Sequence, residues 1–254
     1  MAETILTWKP VAIAIAGGVL PSLVWLWFWL KQDRQSPEPT GLIALSFFAG
    51  MAIVYFVLPL QKLVLTSIVS IVDVVNAIAL KISLVAPDEE TIRITSWAFI
   101  EEFAKYATVF FIAFKSKFFD EPMDAVIYLI TAALGFSAME NTLYIFKDMA
   151  TSGGFEILTN GNMRFLGATI VHIVSSAFIG IAIAFSFYAP RYVKFLAVTI
   201  GIFTATLLHA YFNLSIIESD GTMKTLLVFS QFWGAIIGII VLLALVKRIP
   251  RPTN

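Results

Sequence analysis

The chain has no cysteine. That excludes a disulfide framework, a thiol nucleophile and any cysteine-ligated metal site. Histidine is nearly as scarce. His172 and His209 are the only imidazoles in 254 residues, and both lie inside apolar runs. Asp, Glu, Lys and Arg make up 13% of the chain, where a soluble globule carries about 25%. Acids and bases balance to a net charge of +0. That leaves no basic footprint for a nucleic acid.

Apolar residues fill the remainder, at 59% of the chain. Soluble domains run at about 45–50%. A helix needs about 20 largely apolar residues to cross a bilayer. Seven stretches meet that need: Val11–Leu30, Gly41–Leu60, Ile92–Phe114, Asp124–Phe146, Arg164–Tyr188, Phe195–Ile216 and Thr225–Val246. An eighth, Lys62–Ala86, carries Thr66, Ser70, Asp73 and Asn76 as a polar stripe. It either spans with that stripe toward a cavity or lies at the interface. The fold class is therefore all-α, a polytopic membrane helical bundle with seven or eight transmembrane helices. An open sheet could not satisfy its edges in lipid. The first apolar run is too long for a signal peptide, and no small-residue cleavage site follows it before Lys31. We read 1–254 as a single membrane domain, with N-terminal helices over 11–86 and a chemistry-bearing core over 92–216.

Lys and Arg in short loops set orientation. The tail "VKRIPRPTN", "PRYVK" and "KSK" place the C-terminus in the cytoplasm of a multi-pass plasma-membrane protein. The acidic loops "PDEE" and "ESDG" then lie outside.

Polar residues inside the spans carry the functional signal. Measured at about 1.5 Å per residue from the outer end, Glu101 and Glu102 lie roughly 15 Å deep, His172 near 12 Å, and Glu140 and His209 near 10 Å. Four helices thus bring acid or imidazole groups to one level in the outer half of the bilayer. Lys105 follows Glu101 by four residues and Glu102 by three, so it reaches both carboxylates. The two glutamates point about 100° apart around the helix, which implies different roles. Asn141 adjoins Glu140, and Asn213 lies one turn beyond His209.

Taken singly, each residue has a plain structural explanation. A lone histidine can bond across helices, an i, i+4 Glu–Lys pair can be only a salt bridge, and Asn can cap a carbonyl. Asp124 reads as a helix starter and Arg164 as an interfacial anchor. The convergence argues against those readings. Two imidazoles and a carboxylate are a hydrolytic zinc set with a place for water. His172 and His209 with one or more of the glutamates are the candidate ligands. There is no HExxH sequence, so a soluble zinc protease does not fit. A proton-coupled carrier would also bury Glu and His, but it has no need of this whole set at one depth.

The order "EEFAK" (Glu101–Lys105), "GFSAMEN" (Gly135–Asn141), His172 and "HAYFN" (His209–Asn213) resembles the PrsW family of bacterial intramembrane proteases. That family groups with the CAAX-processing and bacteriocin-processing membrane proteases, which share a glutamate-pair motif and an HxxxN motif. Lys105 in the first motif, and Glu140 where CAAX proteases carry histidine, favour the PrsW branch. The resemblance implies an endopeptidase that cuts a membrane-anchored protein, such as an anti-sigma factor, on its extracytoplasmic side. It implies Glu101 and Glu102 as catalytic carboxylates, His172 and His209 as essential imidazoles, Glu140 as ligand or acid and Asn213 as oxyanion donor. Lys105 and Asn141 are supporting residues. Zinc is the implied cofactor. CAAX proteases read as metal-free keep a directly activated water as the alternative. A non-catalytic scaffold of the same superfamily is a further alternative, although such scaffolds lack the glutamate pair found here.

Overall fold

The computed structural model describes residues 8–33, 36–152, 157–219 and 221–250. The side chains at 9, 151–152, 157–166 and 222 lie outside that description, and Arg164 is among them. Eight α-helices follow one another: α1 (Trp8–Leu30), α2 (Thr40–Thr66), α3 (Ile68–Lys81), α4 (Glu89–Ile112), α5 (Pro122–Ser152), α6 (Ile157–Phe185), α7 (Arg191–Ile217) and α8 (Thr222–Val246). A 3₁₀ turn, Lys31–Asp33, closes α1. No strand is present among the described residues.

Several helix starts follow from simple local chemistry. Pro39, Pro122 and Pro190 stand at the beginnings of α2, α5 and α7, where a missing N–H costs nothing. Asp88 caps α4 by accepting the Thr91 N–H at 2.7 Å, and that bond holds its carboxyl below the usual range. Glu89 and Glu90 follow in the first turn, where the helix dipole favours anions. Gly221, at φ +93°, turns the chain into α8.

Among the described residues, six helices are long and apolar enough to cross a membrane: α1, α2, α5, α6, α7 and α8. The sequence expectation was seven or eight. The shortfall has two physical causes. Helix α4 is long enough at 24 residues, but any membrane-length stretch of it includes Glu101, Glu102 and Lys105. Helix α3 is only 14 residues, about 21 Å, against a hydrocarbon core of about 30 Å. Its Asp73 and Asn76 are exposed. The stripe on Lys62–Ala86 therefore faces away from the bundle, and this segment does not supply an eighth span.

Helix α5 is the mast. Its span is 94% buried inside the protein and that of α6 is 78% buried, whereas that of α1 is 17% buried, so the outer helices wrap a central α5–α6 pair. Helices α1, α2 and α6 pack directly on α5, α7 packs on α6 and α4, and α8 packs on α6. Small residues make the tightest crossing possible. A Cβ on Gly135 would strike the carbonyl of Phe47 in α2, and one on Gly50 would strike the carbonyl of Ala132 in α5. Two backbones meet there, as small residues allow in membranes. The α2–α5 crossing holds Val54 and Val57 against Phe136, one turn before Glu140.

Candidate active site

Helix α4 brings its charged triplet into the bundle between α2 and α7. Glu102 and Lys105 are wholly buried, and Glu101 is buried as well. Lys105 Nζ donates to Glu102 Oε1 at 2.7 Å. It also lies 4.7 Å from the centre of the Phe136 ring, which stabilises the ammonium further. Glu102 is saturated. Its Oε1 also accepts from His209 Nδ1 at 2.7 Å, and its Oε2 accepts from Ser176 Oγ at 3.1 Å. Isolated in an apolar interior, this carboxylate would be very costly; with three donors it is a fixed anchor.

Glu101 stands differently. Gln61 of α2 donates to its Oε1 at 2.8 Å. Its Oε2 is buried without a hydrogen-bond partner and lies 3.7 Å from His209 Nε2. The two adjacent glutamates, turned apart by the helical step, thus face opposite environments: Glu102 is enclosed by charge and Glu101 lines a cavity.

That cavity has a volume of about 560 Å³. Glu101, Glu140, His172 and His209 line it, together with Asn141 and Asn213. Both named asparagines therefore reach it, and the Asn141 amide is also anchored by donating to Ser137 and Thr169. Glu140 projects into the open space with its side chain 43% exposed, so it keeps contact with water. Lys105 and Glu102 lie behind the wall. All the residues expected from the sequence fall within this one assembly.

The imidazoles carry opposite proton arrangements. An ammonium only donates, so Lys105, 2.8 Å from His172 Nδ1, makes that nitrogen an acceptor. The His172 ring proton then sits on Nε2 and points to Glu140 Oε2 at 2.7 Å. A carboxylate only accepts, so His209 donates from Nδ1 to Glu102, and in the neutral ring its Nε2 is an acceptor directed toward Glu101. The rings are 5.0 Å apart, nearly perpendicular. One presents a donor to the cavity and the other presents a base.

A family model described as PrsW family intramembrane metalloprotease matches residues 38–246. The chain belongs to the PrsW family. Proteins named protease PrsW are similar to it. One from Geobacillus kaustophilus is 24% identical over 178 residues, covering 70% of this chain and 67% of the relative. One from Bacillus subtilis is 24% identical over 131 residues, covering 52% and 53%. One from Halalkalibacterium halodurans is 22% identical over 171 residues, covering 67% and 66%. The chain thus spans between half and two thirds of these relatives' lengths. No solved structure matches. The family assignment makes this a PrsW-like membrane protease.

The PrsW family description includes a metal, and the donor set can be tested against one. Glu101, His172 and His209 each offer a ligand atom, all within 4.8 Å of one another. Two imidazoles and a carboxylate suit zinc, and the unclaimed Glu101 Oε2 is the kind of atom an ion would satisfy. Glu102 behind His209 Nδ1 is the outer partner that orients such a ligand. His172 would offer its Nε2 as the other neutral tautomer, with the ring proton moved to Nδ1 and Lys105 no longer donating there. The set fits. Sequence reasoning selected Glu140 as the carboxylate ligand; the compact trio contains Glu101, and Glu140 sits beside it against His172.

Sequence reading missed Gln61, Trp97 and Ser176. Trp97 Nε1 donates to the Gln61 carbonyl at 3.2 Å, so α4 holds the residue that holds Glu101. The one available signal was "LPLQK", where Gln61 ends an apolar run two residues after Pro59.

Proposed function

We propose that this PrsW-family protein is an endopeptidase that hydrolyses a peptide bond of a membrane-anchored protein within the cavity. The observation that carries this reading is the unclaimed Glu101 Oε2 facing the acceptor Nε2 of His209 across 3.7 Å. A water bridging both atoms from the cavity side gives its proton to the carboxylate and attacks the scissile carbonyl. The Nε2–H of His172 and the amide of Asn213 stabilise the oxyanion. The proton held on Glu101 or His209 then passes to the leaving amine. Glu102 and Lys105 touch no substrate; they fix the two rings. A zinc ion, when bound, would be held by Glu101, His172 and His209 and would polarise the water. Glu140 is then the carboxylate free to take the proton.

The extracytoplasmic side is supported by charge. The α4–α5 link, the first turn of α7 and the C-terminal tail carry Lys115, Lys117, Arg191, Lys194, Lys247 and Arg248 at the end away from the cavity. The cavity is lined instead by the outer turns of α5 and α7, with Tyr144, Asp148 and Ile217. An anti-sigma factor with one membrane anchor fits that side as substrate. The test is cleavage of a membrane-anchored reporter by purified protein in proteoliposomes, with metal analysis of the same preparation. We expect cleavage by the wild type, and none by Glu101→Gln or His209→Ala. Full cleavage by both variants would end the hydrolase reading. Stoichiometric zinc that is lost in His209→Ala marks the metal-bound form, and activity without zinc marks direct activation of water.

A further inference from the structure

The far end of the bundle holds a second group of buried acids that the hydrolytic centre does not use. Asp33 closes the 3₁₀ turn after α1, Glu38 precedes α2, and Glu121 and Asp124 stand at the start of α5. Asp124 is wholly buried. Its Oδ2 accepts the backbone N–H groups of Asp120 and Glu121, each at 2.8 Å, but its Oδ1 is buried without a partner. Asp33 is 6% exposed, and its Oδ2 also lacks a partner. The acids are neighbours: Glu121 and Glu38 act electrostatically on Asp33, and Glu38 acts on Asp124. The Tyr128 hydroxyl donates to Glu38 Oε2.

Two carboxylates can sit together only when a proton or a cation lies between them. Among the described residues, Lys247 is the ammonium acting on Asp33. Lys31 lines the adjoining cavity of about 300 Å³, but its Nζ sits 3.0 Å from the centre of the Trp27 ring. Asp33, Glu121 and Asp124 each offer an oxygen, all within 4.8 Å of one another. The two orphaned oxygens belong to this trio.

We propose that Asp33, Glu121 and Asp124, with Glu38 beside them, bind a hard divalent cation such as Mg²⁺ or Ca²⁺. Every donor is oxygen and none is imidazole, which selects hard ions over zinc. Glu140 lies 16 residues further along α5 than Asp124, about 24 Å away. The ion is therefore remote from the hydrolytic centre and acts as a staple, tying the end of α1 to the start of the buried mast.

The test uses the full chain in detergent after EDTA treatment. Mg²⁺ and Ca²⁺ are titrated separately while thermal unfolding is followed, and Mn²⁺ binding is counted by electron paramagnetic resonance. We expect a saturable rise in Tm and one Mn²⁺ bound in a His209→Ala background, where the first centre is disabled. Asp33→Asn should weaken the response at least tenfold. Its Tm without cation should match or exceed that of chelated wild type, because it removes an uncompensated charge. Glu121→Gln serves as the second variant, since it leaves the Asp124 cap intact. No saturable response in the wild type would overturn the proposal. So would an unchanged response in both variants, or one lost in His209→Ala and kept in Asp33→Asn.

Discussion

The two ends of the helical bundle meet the same difficulty in different ways. At the cavity end, buried acids are matched by the chain's own groups: Glu102 has Lys105, His209 and Ser176. At the far end, Asp33, Glu38, Glu121 and Asp124 face mostly one another. A self-matched cluster is preorganised, so one oxygen can be left unclaimed at the cavity for chemistry. A cluster of neighbouring acids with two orphaned oxygens is the kind that the proposed cation would complete. The contrast separates a reactive centre from a structural one by charge accounting alone.

The largest effect should come from the unclaimed oxygen itself. Glu101→Gln keeps the shape and the Gln61 contact region but removes the proton acceptor. A positioned base contributes about 10²–10⁴-fold, so kcat/KM on a membrane-anchored reporter should fall by that order while Tm holds. A variant within threefold of wild type would move the base elsewhere, with Glu140 next in line.

Lys105→Ala comes second and strikes the matched cluster at its counter-charge. It leaves Glu102 buried without its ammonium, a loss of about 3–5 kcal/mol. Unfolding in denaturant should show that loss, and Lys105→Ala/Glu102→Gln should recover most of it without recovering cleavage. The opposite sign is expected of Asp33→Asn at the other end. If both ends lose stability alike when a charge is removed, the proposed contrast between them is wrong.

Much of this was legible before folding was considered. Glu101, Glu102, Glu140, His172 and His209 stand out because lipid tolerates few such groups, and alternating helices put them at one depth. Depth is a property of sequence position; rotation is not. Which glutamate faces the cavity depends on how α4 is turned between α2 and α7, and no spacing in the chain states that. Asp124 was read as a helix starter, which is half its description: Oδ2 caps backbone N–H groups, while Oδ1 has no partner in a cluster with the adjacent Glu121 and with Asp33 from the end of α1. Whether Lys62–Ala86 spans was left open by composition, and the structure shows why: Ser67 divides it into the end of α2 and a short α3.

A third, smaller effect tests the frame on which the centre hangs. Gly135→Val puts a branched side chain against the Phe47 carbonyl. Overpacking of this kind costs about 1–3 kcal/mol. The α2–α5 crossing opens, so cleavage should fall together with Tm. A loss of cleavage at unchanged Tm would mean that Gly135 serves the chemistry directly.

The smallest effect, and the finest test, is at Gln61. It comes from α2, outside every motif, and touches only Glu101 Oε1 and, through its carbonyl, Trp97. If it orients the base, Gln61→Ala should lower kcat by about 10–100-fold, the usual cost of losing such an outer partner. KM and Tm should barely move, because the cavity wall and the buried pair behind it stay intact. Gln61→Glu sharpens the point. It keeps the length but sets a second carboxylate against Glu101, and like charges that close cannot both ionise. Its cleavage should fall below that of Gln61→Ala at neutral pH, where the pair shares a proton, and recover partly as pH rises and Glu101 ionises. A Gln61→Glu enzyme as active as wild type at neutral pH would show that the amide only fills space, and that α4 alone aims its glutamate.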